Sequence, residues 1–201
     1  MVPNLPAAVA QAHAQAISFS DIVYRSIHVG HFANFATVNP LFAAGGGQAG
    51  SRYVRPNGPR VLYTSLDAET AYREGNQLFH QMANSPAGPT LRGAGLLRPD
   101  PVVLIGIHVR VSRLLDLRNQ STQAHFATTT NELLGPWQGI PNPPTQLLGD
   151  AVFNDGYFQG MRFPSAQNPG HECLALFTTR LVSPDRVYFF GGSTLPSRQI
   201  P

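Results

Sequence analysis

Four side chains carry types and placements that could do chemistry, and each also has an ordinary use. Glu74 lies three residues after Ala71 and four before Leu78, on the margin of a helix's packing face. A carboxylate there can look into a cleft while its helix rests on the core; the alternative is a surface ion pair with Arg73 or Arg25. Arg52 follows a Gly-rich stretch, where a planar cation beside exposed backbone could clamp a diphosphate, or it is simply solvated. Tyr63 sits mid-strand among apolar residues, where a ring packs and its hydroxyl finds a partner. Ser165 follows Phe163-Pro164, a strand-ending turn in which a hydroxyl most often bonds local backbone.

Several other chemistries are excluded. All 14 Lys+Arg residues are arginine, so neither a Schiff-base lysine nor a phosphate-loop lysine exists, and guanidinium is the only permanent side-chain cation. The lone Cys173 closes no intrachain disulfide; within Cys173-Leu174-Ala175-Leu176-Phe177 it reads as a core thiol. Gly45-Gly46-Gly47-Gln48-Ala49-Gly50 fits G-x-G-x-x-G, but Pro56 and Gly58 forbid the helix that a dinucleotide fingerprint requires. His28 and His31 lack a third metal ligand, and His171-Glu172 lacks the second histidine of a zinc helix. His108 reads as a partly buried strand imidazole, and Glu69, Glu132 and Asp150 as solvated or capping carboxylates. No G-x-S-x-G elbow is present.

The elements that must position these groups follow from composition and pattern. The 201 residues suggest one domain, and 19 Gly with 18 Pro exclude a long-helix bundle. Charged residues are only 12% and the net charge is +3, with the arginines scattered, so nucleic acid is not the expected partner. No apolar run is long enough for a membrane span, and the Ala-rich start lacks a cationic leader; a cytoplasmic protein is expected. Residues 1–20 read as an N-terminal arm, loose or helical, and 21–201 as the domain. Val29–Gly58 is a long irregular segment anchored by Phe32, Phe35, Leu41 and Phe42. Strands are expected at 22–25, 60–64, 102–111, 114–117, 160–163, 172–177 and 186–190. Helices are expected at 67–82, from Ser121 through Leu134, and at 145–153, with a Pro/Gly loop over 84–101. The order indicates an α+β domain with a mixed sheet and flanking helices.

Taken in order, Tyr24-Arg25, Gly50-Ser51-Arg52-Tyr53 with Asn57-Gly58-Pro59, Val61-Leu62-Tyr63-Thr64-Ser65, Ala71, Glu74 and Phe163-Pro164-Ser165-Ala166 resemble the RES domain family. Gly135-Pro136-Trp137, Leu148-Gly149-Asp150 and the Cys173 strand add to the resemblance, which spans about residues 22–190. One departure is Tyr53-Val54 after the arginine, where the family has an aromatic residue and then Asn; here the Asn is displaced to Asn57. The resemblance implies a fold like that of ADP-ribosyltransferases and a toxin that consumes NAD⁺ as substrate, with no further cofactor and no metal. It also implies an Xre-family antitoxin partner in a hetero-oligomer. It assigns Arg52, Glu74 and Ser165 to catalysis, and Arg25, Arg52, Tyr63 and Ser165 to holding NAD⁺, Ser165 by a hydrogen bond to the substrate. Cleaving the nicotinamide–ribose bond builds positive charge on the ribose, which a nearby carboxylate stabilises. Water, phosphate or a protein side chain as acceptor needs the same stabilisation, so a protein ADP-ribosyltransferase is the alternative.

Overall fold

Strict alternation makes the longest strand. From Ile105 to Val111 every second residue is buried and those between face solvent. The alternation ends after Val111, but the strand runs on through the consecutive buried Leu114 and Leu115, so the two strands expected at 102–111 and 114–117 are one, Val102–Asp116. His108 falls on its exposed side, which corrects the expected half-buried imidazole. The computed structural model describes residues 1–32, 39–41, 50–191 and 197–201. Phe35, Phe42 and Gly45–Ala49 of the expected irregular segment lie outside these, while Leu41 is fully buried.

The strands are β1 (Ile17–His28), β2 (Val61–Ser65), β3 (Val102–Asp116), β4 (Gly160–Pro164), β5 (Glu172–Phe177), β6 (Arg186–Phe189) and β7 (Arg198–Ile200). They form one mixed sheet in the order β1-β2-β5-β4-β3-β6-β7, and β1 also pairs with β3, so the first five close on themselves. β3 runs parallel to β4 and antiparallel to β1 and β6. Both faces of the central strands are covered. Along β5, Cys173, Ala175 and Phe177 join one core with Val61, Met161 and Phe163. Leu174 and Leu176 join the other with Val23, Leu62 and Ile107. The fold is α+β, as expected.

The helices are α1 (Leu5–Gln11), α2 (Val29–Phe32), α3 (Ala68–Gly75), α4 (Gln77–Ala83), α5 (Gly88–Gly93), α6 (Gln120–His125), α7 (Thr130–Leu134) and α8 (Pro144–Asp155). The expected arm is packed into the first core: Val9 and Ala12 are fully buried, and α1 lies against α8. The helix expected over 67–82 breaks at Asn76. The buried Asn76 side chain donates to Tyr72 O and accepts from the Asp100 backbone, so the chain turns there and Leu78 is left 70% exposed. The helix expected from Ser121 to Leu134 is likewise two. Asn119 caps the first and Thr129 the second, across a left-handed Ala127. The 84–101 loop contains the short α5.

Candidate active site

Glu74 reaches the site through a well-capped helix. The Asp67 carboxylate accepts from the Thr70 backbone at 2.8 Å and from its hydroxyl at 2.7 Å, starting α3 directly after β2. Thr70 and Ala71 are buried, and Gly75 lies so close to β1 that a Cβ would stand 2.3 Å from Ser26 Oγ. Glu74 therefore sits where α3 meets the sheet. Its Oε1 accepts from Ser165 Oγ at 2.6 Å and from the Ala166 and Gln167 backbones at 3.1 and 3.3 Å. Hydrogen bonds to a charged group contribute about 1.5–3 kcal/mol each. Every hydrogen bond described for this carboxylate falls on Oε1, which leaves Oε2 to the adjacent cavity. The ion-pair alternative goes elsewhere: Arg73 pairs with Glu69 at 2.7 Å.

The cavity has a volume of about 300 Å³ and brings Arg25, Arg52, Tyr63 and Glu74 to one space, with Trp137 and Cys173 in its wall. Arg25 enters from β1, and its Nη1 donates to Pro40 O at 2.9 Å. Burial pulls its pKa down to about 10, so it stays a cation at neutral pH. Arg52 enters from the turn before β2, and its Nη1 is shared between Leu133 O at 2.9 Å and Gly135 O at 2.7 Å. Among the described residues neither arginine is ion-paired to a carboxylate. Among the described residues two guanidinium groups and one carboxylate face this space, a net positive lining that favours an anionic ligand.

Tyr63 bonds Ser51 Oγ at 2.6 Å and accepts from the Tyr53 backbone at 3.3 Å, so its hydroxyl braces the Arg52 turn. Burial pushes its phenol up to about 12. Cys173 is a core thiol on the cavity-facing side of β5; burial, and then the Glu74 carboxylate, hold it up at about 12 and therefore neutral.

Ser165, expected to hydrogen-bond the substrate, stands against Glu74 in this structure. It is 1% exposed and gives its proton to Glu74. Its oxygen accepts from the Gln167 and Asn168 backbones at 3.2 and 3.0 Å. Asn168 in turn donates to Thr70 Oγ1 at 2.8 Å, and His171 bonds Asp67 at 2.8 Å. A continuous network thus ties the 165–171 turn to the helix that bears Glu74.

Sequence reasoning gave no role to Trp137, although it is the chain's only tryptophan and follows a Gly-Pro turn. It also missed the turn that grips the carboxylate, because two backbone N–H donors leave no mark on side-chain pattern. Asp150, expected to be a solvated or capping carboxylate, is largely buried and ion-paired with Arg55. Burial raises its pKa against the pull of that arginine. Among the described residues no group of three or more His, Cys, Asp or Glu could hold a metal ion, and no helix is long and apolar enough to cross a membrane.

A family model described as RES domain matches residues 22–189 of this chain. The fold is similar to a solved structure from M. tuberculosis, the MbcT-MbcA toxin-antitoxin complex. The TM-score is 0.65 at 18% identity, over 90% of this chain and 87% of the other. No curated protein matches in sequence.

Proposed function

The chain belongs to the RES domain family, and from that premise we propose that it is a toxin that cleaves the nicotinamide–ribose bond of NAD⁺. The observation that carries this reading is the Glu74 carboxylate, pinned by one O–H and two N–H donors on one oxygen and open to a cavity with two arginines that pair with no carboxylate among the described residues. When the C1′–N bond breaks, its electron pair leaves with nicotinamide and the ribose becomes cationic. Glu74 faces that charge from a fixed position, so no reorganisation is needed as it develops. Arg25 and Arg52 neutralise the pyrophosphate and hold the ribose in register. Tyr63 lines the wall and braces the turn that carries Arg52. Ser165 fixes the carboxylate. Water then supplies the new C1′–O bond and releases a proton, giving ADP-ribose; inorganic phosphate in that role gives ADP-ribose phosphorylated at the anomeric carbon.

The M. tuberculosis neighbour was solved with an antitoxin, which supports an antitoxin protein as partner here, of the Xre type that the family resemblance implies. Purified protein incubated with NAD⁺, with and without phosphate, tests the reaction: nicotinamide appears, and mass identifies ADP-ribose or its phosphate. Radiolabel transferred to protein would move the reading to an ADP-ribosyltransferase. Intact NAD⁺ refutes it.

A further inference from the structure

The first cavity shares a wall with another. Trp137 lines it and also lines a second cavity of about 450 Å³, whose other walls include Arg55, Pro56, Gln138, Ile140, Asn142 and Gln146. The two are built together. Arg52 and Arg55 stand three residues apart on one turn, with Tyr53 and Val54 buried between them, so that one arginine lines each cavity. Gln146 Nε2 donates to Ser51 O at 2.8 Å, which ties a wall of the second cavity to a wall of the first.

Their charges differ. In the second cavity the arginine is ion-paired with Asp150, so its charge is offset there. What remains is an indole, two aliphatic walls, and the carboxamides of Gln138 and Asn142, beside that of Gln146 whose Nε2 is held by Ser51 O. A carboxamide places a donor beside an acceptor, the arrangement that reads a purine edge, and an indole gives a base a face to stack on. The chemistry suits a neutral nucleoside, while the unpaired Arg25 and Arg52 next door suit the phosphates.

We propose that the second cavity binds the adenosine half of the dinucleotide, its base against Trp137, while the nicotinamide half reaches Glu74. This rests on the NAD⁺ reading of the first cavity, and the test separates the two. Trp137 is the only tryptophan, so its emission reports on the shared wall. AMP titrated into the protein gives a saturable emission change. The double variant Gln138→Ala/Asn142→Gly weakens AMP about tenfold, the loss expected for one or two hydrogen bonds. Asn142 has φ 50°, which glycine adopts without strain, so the turn survives. The same variant raises KM for NAD⁺ by a similar factor. It leaves KM for nicotinamide mononucleotide, which has the scissile bond but no adenosine, unchanged. The proposal is overturned if millimolar AMP leaves the emission unchanged, or if the variant shifts both substrates equally. AMP binding alongside intact NAD⁺ would keep the nucleoside site and discard the cleavage reading; NAD⁺ cleavage without an AMP response would do the reverse.

Discussion

Replacing Glu74 by glutamine separates charge from shape at the centre of the site. The amide oxygen can take the place of Oε1 and still accept from Ser165 Oγ and the Ala166 and Gln167 backbones, so α3 stays docked. What disappears is one negative charge opposite the developing ribosyl cation. At about 4 Å and an effective dielectric near 20, two unit charges attract by about 4 kcal/mol. Positioned groups that meet transition-state charge are worth roughly 10²–10³ in rate. The expected result for Glu74→Gln is therefore a kcat lower by about 10²–10³, with NAD⁺ affinity within a few-fold because both arginines remain. Weakening charge-assisted hydrogen bonds to neutral ones costs about 1 kcal/mol, or roughly 2–4 °C in Tm for a domain of this size. Nicotinamide release at saturating NAD⁺, titration calorimetry on the slow variant and a thermal scan measure the three quantities. Turnover at the parental rate refutes the reasoning. So does a loss of turnover matched by a collapse in Tm, which would make Glu74 a structural carboxylate.

Ser165→Ala removes a 2.6 Å bond to Glu74 and leaves the Asn168 backbone N–H short of its acceptor, while Gln167 keeps its bond to Glu74 Oε1. The expectation is kcat down about 10–100-fold with KM nearly unchanged and about 2 kcal/mol of stability lost. A raised KM at constant kcat would instead make Ser165 a substrate contact. Arg52→Lys cannot hold two carbonyls and a phosphate with one compact ammonium, so KM for NAD⁺ should rise about tenfold or more; an unchanged KM would remove Arg52 from the phosphate site. The Asp116 carboxyl is raised by burial but lowered on balance by Arg118, below its ordinary 3.8. A depressed folded-state pKa contributes stability that is present above the ordinary value and lost as pH falls through the folded one. Urea midpoints should therefore drop below about pH 4, and Asp116→Asn should show a shallower drop; identical slopes would assign the acid sensitivity to other carboxylates.

The central strands were legible because alternation and β-branched runs survive in a short window, and the strand ends at 160–164 and 172–177 differ from expectation by at most one residue, whereas β1 runs from Ile17 to His28 where 22–25 was expected and β7 was not expected. The helices were less so. Asn76 looks like any polar helix residue until Asp100, 24 positions away, donates to its side chain. Ala127 gives no warning of its positive φ. The identities of Arg25, Arg52, Tyr63 and Glu74 were legible from ordered motifs, and the cavity unites them. Ser165's actual post was not, since its burial depends on strands that pattern alone cannot dock.

What places Glu74 beside Ser165, 91 residues away, is the register of three strands. Ser65 on β2 stands opposite Cys173 on β5, which stands opposite Phe163 on β4. α3 leaves the sheet just beyond Ser65, and the Ser165 turn leaves it just beyond Phe163, so both depart from the same end of the two strands that flank β5. The same register turns Val61, Tyr63, Ser65, Cys173 and Phe163 toward the cavity. A slip of one residue between β2 and β5 would turn alternate side chains to the opposite face, carrying Tyr63 away from Ser51 and driving Leu62 toward the cavity. Leu62, Leu174 and Leu176, all fully buried in the other core, forbid that slip. The apolar residues that never meet a substrate thus fix the distance between a carboxylate and the hydroxyl that holds it.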